Sequence, residues 1–273
     1  MPADTTLGIV ENKTKRILRE GGYAYGTWIM SMRTPSLVRM IAAAGFDFVF
    51  IDVEHSSFSW ETVGDMCEMA RACGIAPIVR PYSYEGELAN RIQDLGAMGL
   101  MFHDVTGRET VDQLREWMLY PPRGRRGSTS LAAAMDYRSG PGDQVRALVD
   151  ENAMLIIQIE SQEGINNIDS ILAGGGVDVV EIGRGDLSSS LGVPMQTRHE
   201  LVLAAVDHIV QACVRHGVAA GVNCGSLDDA EDMRRRGVRC ISFSNDRHIL
   251  LRAYNETVTK LRASSDSPSG PRR

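Results

Sequence analysis

Lysine is nearly missing from this chain of 273 residues: only Lys13, Lys15 and Lys260 occur, all near the ends in polar helical stretches. Imine catalysis and pyridoxal phosphate both need a lysine amine inside a pocket, so this distribution argues against both. Cysteine is sparse too. Cys67, Cys73, Cys213, Cys224 and Cys240 are odd in number and contain no Cys-x-x-Cys pair, which suits reduced structural thiols in a cytoplasmic protein rather than a disulfide framework. No apolar run approaches the roughly 18 residues of a membrane span, and residues 1–6 lack a charged leader with an apolar core, so neither insertion nor secretion is expected. Positive charge is also short. A net charge of −6 and a pI near 5.6 argue against a nucleic-acid or anionic-membrane partner, because both need a clustered positive field.

What is present suits a soluble enzyme of small molecules, with 43% hydrophobic residues and length enough for one large core. Apolar β-like runs fall at 24–29, 47–52, 76–80, 99–103, 154–160, 178–182, 218–222 and 239–243. Between them, segments at 36–44, 61–72, 85–95, 108–118, 144–150, 167–173, 200–216, 227–235 and 248–263 carry apolar residues at three- and four-residue spacing. Eight alternating units predict a parallel sheet closed into a (β/α)8 TIM barrel over residues 1–263, with an open doubly wound sheet as the alternative. Gly45, Gly74, Gly96 and Gly237 each follow a helical run and are expected to cap it in the left-handed conformation. Two segments break the rhythm. Residues 120–140 form a long irregular connection that reads as a functional lid, and the Ser/Pro/Gly-rich tail 264–273 reads as disordered.

Chemistry-bearing residues gather where strands stop. Ile51-Asp52-Val53-Glu54-His55, Gln158-Ile159-Glu160 and Gly183-Arg184-Gly185-Asp186-Leu187-Ser188 all sit at predicted strand ends, whose side chains converge on one mouth of a parallel barrel. Glu160 and Asp186 end consecutive strands and offer two hard oxygen donors, suited to a divalent metal ion such as Mg²⁺, Mn²⁺ or Co²⁺. The bland alternative makes each a helix cap. With two carboxylates as ligands, most of the metal shell stays open for a 2-oxoacid and water, and the metal acts as a Lewis acid on the keto group.

These segments, with Ala43-Ala44-Gly45-Phe46-Asp47-Phe48, Val79-Arg80-Pro81, Asp94-Leu95-Gly96-Ala97 and Tyr120-Pro121-Pro122-Arg123-Gly124-Arg125-Arg126-Gly127 in this order, resemble the HpcH/HpaI aldolases. The resemblance runs from about Gly26 to the last strand. It implies a hexamer, or a trimer, with the C-terminal helix exchanged between subunits. The implied reaction is reversible cleavage of a 4-hydroxy-2-oxoacid to pyruvate and an aldehyde by a metal-dependent, enolate-forming lyase. It also implies that His55 is the base and that Asp94 orients it, although Asp94 equally reads as a helix-end charge. Arg80 offers a planar cation to the developing enolate oxygen, or else a rim ion pair. Asp52 belongs to the same strand-end group.

Gln158, Gly183, Gly185, Arg184 and His103 are the candidate substrate contacts. Gly185 would let backbone N–H groups approach a substrate carboxylate. Three departures bear on substrate: Phe102-His103-Asp104 where the family has a proline, Arg184-Gly185 where it has Pro-Ala, and Ser161 for threonine. Arg184 reads either as added positive charge near an anionic substrate or as an outward side chain, and His103 as a further acid-base group, an acceptor contact or a structural histidine. Arg125 and Arg126 read equally as contacts to an acidic substrate or a neighbouring subunit and as a solvated basic turn. The departures leave open a decarboxylating or carbon–carbon-forming relative of the same chemistry, or a barrel that only binds.

Overall fold

The computed structural model describes residues 7–265. Its elements run α1 (Lys13–Arg19), β1 (Ala24–Ile29), α2 (Pro35–Ala43), β2 (Phe48–Asp52), α3 (Trp60–Ala72), β3 (Ala76–Arg80), α4 (Gly86–Asp94), β4 (Gly99–Phe102), α5 (Arg108–Met118), α6 (Gly142–Asn152), β5 (Met154–Ile159), α7 (Gln162–Ala173), β6 (Val179–Ile182), α8 (Arg184–Ser190), α9 (Glu200–His216), β7 (Ala219–Cys224), α10 (Leu227–Arg235), β8 (Cys240–Asn245) and α11 (Asp246–Ser265). The eight strands pair in parallel and close, β1 against β8, into the expected barrel. The open sheet is thereby excluded.

Local chemistry sets these boundaries. Side-chain oxygens of Thr34, Ser59, Ser161 and Ser226 accept backbone N–H groups in the first turns of α2, α3, α7 and α10. The four expected glycine stops have φ between 74° and 102°, a region closed to most L-residues. Helices α1 and α8 fall outside the runs that periodicity picks out, because each is 7 residues long and too short to establish a period.

Two apolar layers form. Inside the barrel Phe48, Phe50, Ile78, Met101, Met154, Ile156 and Val179 pack together, with Phe50 4.5 Å from Trp28 and 5.1 Å from Phe48 between ring centroids. A Cβ at Gly26 would collide with the Phe48 ring, so the smallest residue on β1 makes room for a phenylalanine on β2. The second layer, from Ile29 and Val49 through Ile157 and Val222, lies between strands and helices. Truncating Phe48 or Phe50 would cost about 3–5 kcal/mol, because a close-packed interior cannot collapse onto the gap.

A third cluster corrects the lid reading. The segment after α5 joins a helix to a helix and then β5, so it lies at the strands' amino ends, opposite the mouth. There Tyr120, Ala134 and Met135 pack on Ile9, Val145 and Val149. Buried Arg71 holds Asp136 at 2.6 and 2.8 Å, and Asp136 accepts the Val10 N–H. The segment is a plug. Of the tail 264–273, Ser264 and Ser265 continue α11, and 266–273 lie outside the described residues, as do residues 1–6 of the expected leader-free start.

Candidate active site

At the carboxyl ends of the strands a cavity of about 480 Å³ opens, lined by Trp28, Arg80, Gln158, Glu181, Asp186 and Asn223 among others. Arg80 is fixed there from three sides. Its Nη2 and Nε reach the fully buried Asp52 carboxylate at 2.6 and 3.2 Å, its Nε lies 3.1 Å from Glu54, and its guanidinium sits 4.7 Å from the Trp28 ring centroid. Asp52 Oδ1 also accepts the N–H groups of Glu54 and His55 at 3.0 and 3.1 Å, so one carboxylate sets both the arginine fork and the turn after β2.

Glu160 lies just past β5 and is only 9% exposed. Its Oε1 accepts the Asp104 N–H at 3.0 Å, a geometry that needs Asp104 in the left-handed region at φ 41°, and its Oε2 meets Gln158 Nε2. Burial, followed by repulsion from Asp186, pushes the Glu160 carboxyl up to about 7. Asp186 stands exposed in the first turn of α8. A Cβ at Gly183 would collide with Glu160 Oε2 and Gln158 Nε2, so glycine there is a steric requirement. Gly185 has open space around its Cα and lines the cavity. The donor set suits a divalent cation: two carboxylates, one of which repels the charge of the other, with no cluster of three or more His, Cys, Asp or Glu among the described residues.

His55 is at the rim, its side chain 60% exposed and its Nε2 3.8 Å from Glu54. Asp94 is elsewhere. It ends α4 at the opposite face of the barrel and accepts a 2.7 Å bond from buried Arg126, which also stacks on Tyr120, so within one chain it does not orient His55. Arg126 therefore holds the plug, and Arg125 pairs with Glu116 at the surface. Arg184 is corrected as well. It lines the cavity, but buried and forked onto Asp229 at 2.9 and 2.6 Å, with Asn223 O at 2.7 Å, it neither points outward nor brings free charge; it ties the start of α8 to α10. His103 follows β4 with its ring edge-on to Tyr84 and Nδ1 3.7 Å from Glu54. Lys15 is not in a solvated stretch: it is buried at the strands' amino ends beside Asp178 and Ala153 O, far from the mouth, and burial lowers its ammonium pKa.

Several residues of this site carry no sequence signal of their own. Trp28 donates Nε1–H to Ser242 at 2.9 Å and floors the cavity, yet its sequence neighbourhood is an ordinary strand. Ser244 holds φ 55° at the end of β8, a strained backbone that concentrates at functional sites. Glu181 is buried inside the barrel, and its one clue is a charged residue in the apolar run Val179-Val180-Glu181-Ile182.

A family model described as HpcH/HpaI aldolase/citrate lyase matches residues 25–253. A hydroxypyruvate/pyruvate aldolase of Paraburkholderia phytofirmans is 31% identical over 92% of this chain and 98% of its own. A 2-keto-3-deoxy-L-rhamnonate aldolase of Escherichia coli K12 is 28% identical over 95% and 97%. Among solved structures, an HpcH/HpaI aldolase from Desulfitobacterium hafniense superposes with a TM-score of 0.85 at 28% identity, covering 94% of this chain and 98% of that one. With the matched region running from β1 into α11, the chain belongs to the HpcH/HpaI aldolase/citrate lyase family.

Proposed function

We propose that this carbon–carbon lyase is a divalent-cation-dependent aldolase that reversibly cleaves a 4-hydroxy-2-oxoacid to pyruvate and an aldehyde. The observation that carries the proposal is the gathering, at one mouth of the barrel, of a locked guanidinium with Glu160 and the Asp186 carboxylate that repels it. Glu160 and Asp186 would hold the cation, which when bound supplies Lewis acidity at the keto oxygen. Substrate and water would complete its ligand set.

The chain's own residues do the rest. Arg80, held by Asp52 and Glu54, faces the oxoacid and stabilises negative charge on its oxygen as the C3–C4 bond breaks and the electron pair stays with the pyruvate half. Because the guanidinium is already oriented, it costs no reorganisation during the reaction. His55 takes the C4 hydroxyl proton in cleavage and the pyruvate methyl proton in synthesis, with Glu54 3.8 Å from its Nε2. Gln158 holds the buried oxygen of Glu160 in place. None of the three lysines lines the cavity, in keeping with chemistry that needs no imine.

Assembly belongs to the same proposal. Leu251, Tyr254 and Val258 on α11 are 58%, 66% and 40% exposed, an apolar stripe that exchange of this helix within a homo-oligomer would cover. We place the protein in the cytoplasm, where its five free thiols stay reduced; no helix among the described residues is long and apolar enough to cross a membrane. The test is a retro-aldol screen of 4-hydroxy-2-oxoacids with pyruvate as readout. Turnover that stops on chelation and returns with Mg²⁺, Mn²⁺ or Co²⁺ supports the proposal, and full activity in the chelated protein overturns it.

A further inference from the structure

Two buried side chains in the mouth, on neighbouring strands, each keep a polar atom without a partner. Gln158 on β5 and Glu181 on β6 are register partners on adjacent parallel strands, and both line the cavity. Strands so paired are about 4.8 Å apart, so two side chains on the same face can share one ligand atom. Gln158 commits its Nε2 to Glu160, which leaves its Oε1 buried without a hydrogen bond. Glu181 is 3% exposed and its Oε2 is likewise unpartnered. The two nearest cations are spoken for: Arg80 by Asp52 and Glu54, Arg184 by Asp229. On the far side, Gly221 of β7 is the residue that leaves room for this carboxyl, since a Cβ there would collide with Glu181 Oε2. The barrel is thus shaped around an acid for which the fold supplies no partner.

Burial pushes Glu181 up to about 8, so near neutrality it is an O–H donor rather than an anion. Beside it, Gln158 Oε1 only accepts. A keto or carboxylate oxygen can answer the first atom but not the second. A hydroxyl both accepts and donates, and answers both.

We propose that Glu181, together with Gln158, is a specificity-determining residue that selects a hydroxyl group on the substrate. The assignment rests on the aldolase proposal and adds to it what kind of component the mouth prefers. The hydroxyl has two chemical sources: C3 of the oxoacid, as in 3-hydroxypyruvate, or C2 of the aldehyde, as in glycolaldehyde. Recognition is of the same kind in both, because a site built to hydrogen-bond a hydroxyl rejects the analogue that lacks it by leaving its own polar groups unpaired.

The experiment measures kcat/KM of the full-length Mg²⁺-loaded protein for pyruvate or 3-hydroxypyruvate paired with acetaldehyde or glycolaldehyde, alongside solvent-deuterium exchange into the pyruvate methyl. The native protein is expected to favour a hydroxylated component by about 10–100-fold, the usual worth of a buried hydrogen bond to a strong donor or acceptor. The arm in which the preference falls identifies the source. Glu181→Leu should reduce that preference at least tenfold more than it reduces deuterium exchange, whereas Glu181→Gln, which keeps a donor and an acceptor in the same shape, should retain most of it. A native protein that exchanges deuterium but ignores the hydroxyl overturns the Glu181 assignment alone. So does a Leu variant, folded by circular dichroism, that loses all four pairings and exchange equally. A native protein with no exchange overturns the aldolase proposal itself and this inference with it.

Discussion

At the amino end of the barrel Arg71 meets Asp136, Arg126 meets Asp94 and Lys15 meets Asp178, each buried cation beside its own carboxylate under a cap of apolar side chains. At the carboxyl end, beside the paired Asp52 and Asp229, three carboxyl groups have no cation to themselves. Glu160 is opposed by Asp186, Glu181 has burial without a partner, and Glu54 is shared by Arg80 and the two histidines His55 and His103. Similar residue types at opposite ends of the same strands therefore serve opposite purposes. Paired charges at the base lock the chain's amino-terminal segment and its longest loop to the barrel, while at the mouth the proposed ligands would answer the acids that lack a partner. A base built like the mouth would cost stability for no return.

Substitutions at the two ends should separate activity from stability. The largest effect is expected at His55: His55→Ala should lower turnover by about 10²–10⁴-fold in steady-state assays, the usual range for a lost proton-transfer group, while calorimetric cation binding survives. Loss of cation binding would instead make His55 part of the cation site. Arg80→Lys comes next, with a loss of about 10²–10³-fold in kcat, because a compact ammonium cannot span Asp52 and still face the oxoacid; near-native turnover would reduce Arg80 to a rim ion pair. At the base, Arg71→Ala leaves the Asp136 carboxylate without its cation and should cost about 3–5 kcal/mol in urea denaturation with kcat per folded molecule unchanged. A drop in kcat without loss of stability there would erase the distinction between the two ends.

The smallest effect is a pH dependence. Glu181 holds its proton up to about 8 in the folded protein but only to the ordinary 4.5 when unfolded. Between those values the folded state binds the extra proton, so the contribution of this group to stability is present below 4.5 and is lost as pH rises towards 8. Glu181→Gln removes the titration. In cation-free protein its Tm should match the native value near pH 5 and exceed it by at least about 4 °C at pH 8, for a chain of this size. Parallel Tm curves would show that Glu181 is not a buried neutral acid.

Much of this architecture is legible in the amino-acid sequence. Eight apolar runs alternating with helical periods, punctuated by Gly45, Gly74, Gly96 and Gly237, specify a parallel barrel because each signal is local and each recurs. Strand-end position brings Asp52, Arg80, Glu160 and Asp186 to one mouth for the same reason. What stays hidden depends on partners distant in the chain. Arg184 looks like free positive charge until Asp229, across β7, neutralises it. Residues 120–140 read as a lid because length marks a loop as unusual but not which end of a barrel it covers; that the segment follows a helix rather than a strand is the available clue. Asp94, just before a helix stop, carries the same clue. Glu181 escapes notice because β-strands are recognised by their apolar majority, and the one charged residue among them looks like noise.

The claim that the mouth is a cation-dependent enolate-forming site is tested most directly by solvent-deuterium exchange into the methyl group of pyruvate, followed by NMR for the native protein and Glu160→Gln with Mg²⁺ and after exhaustive chelation. Because no aldehyde is needed, the result does not depend on knowing the acceptor. The account predicts exchange in the Mg²⁺-loaded native protein that is abolished by chelation and strongly reduced by Glu160→Gln. Exchange that continues undiminished in the chelated protein, or that Glu160→Gln leaves untouched, would contradict it.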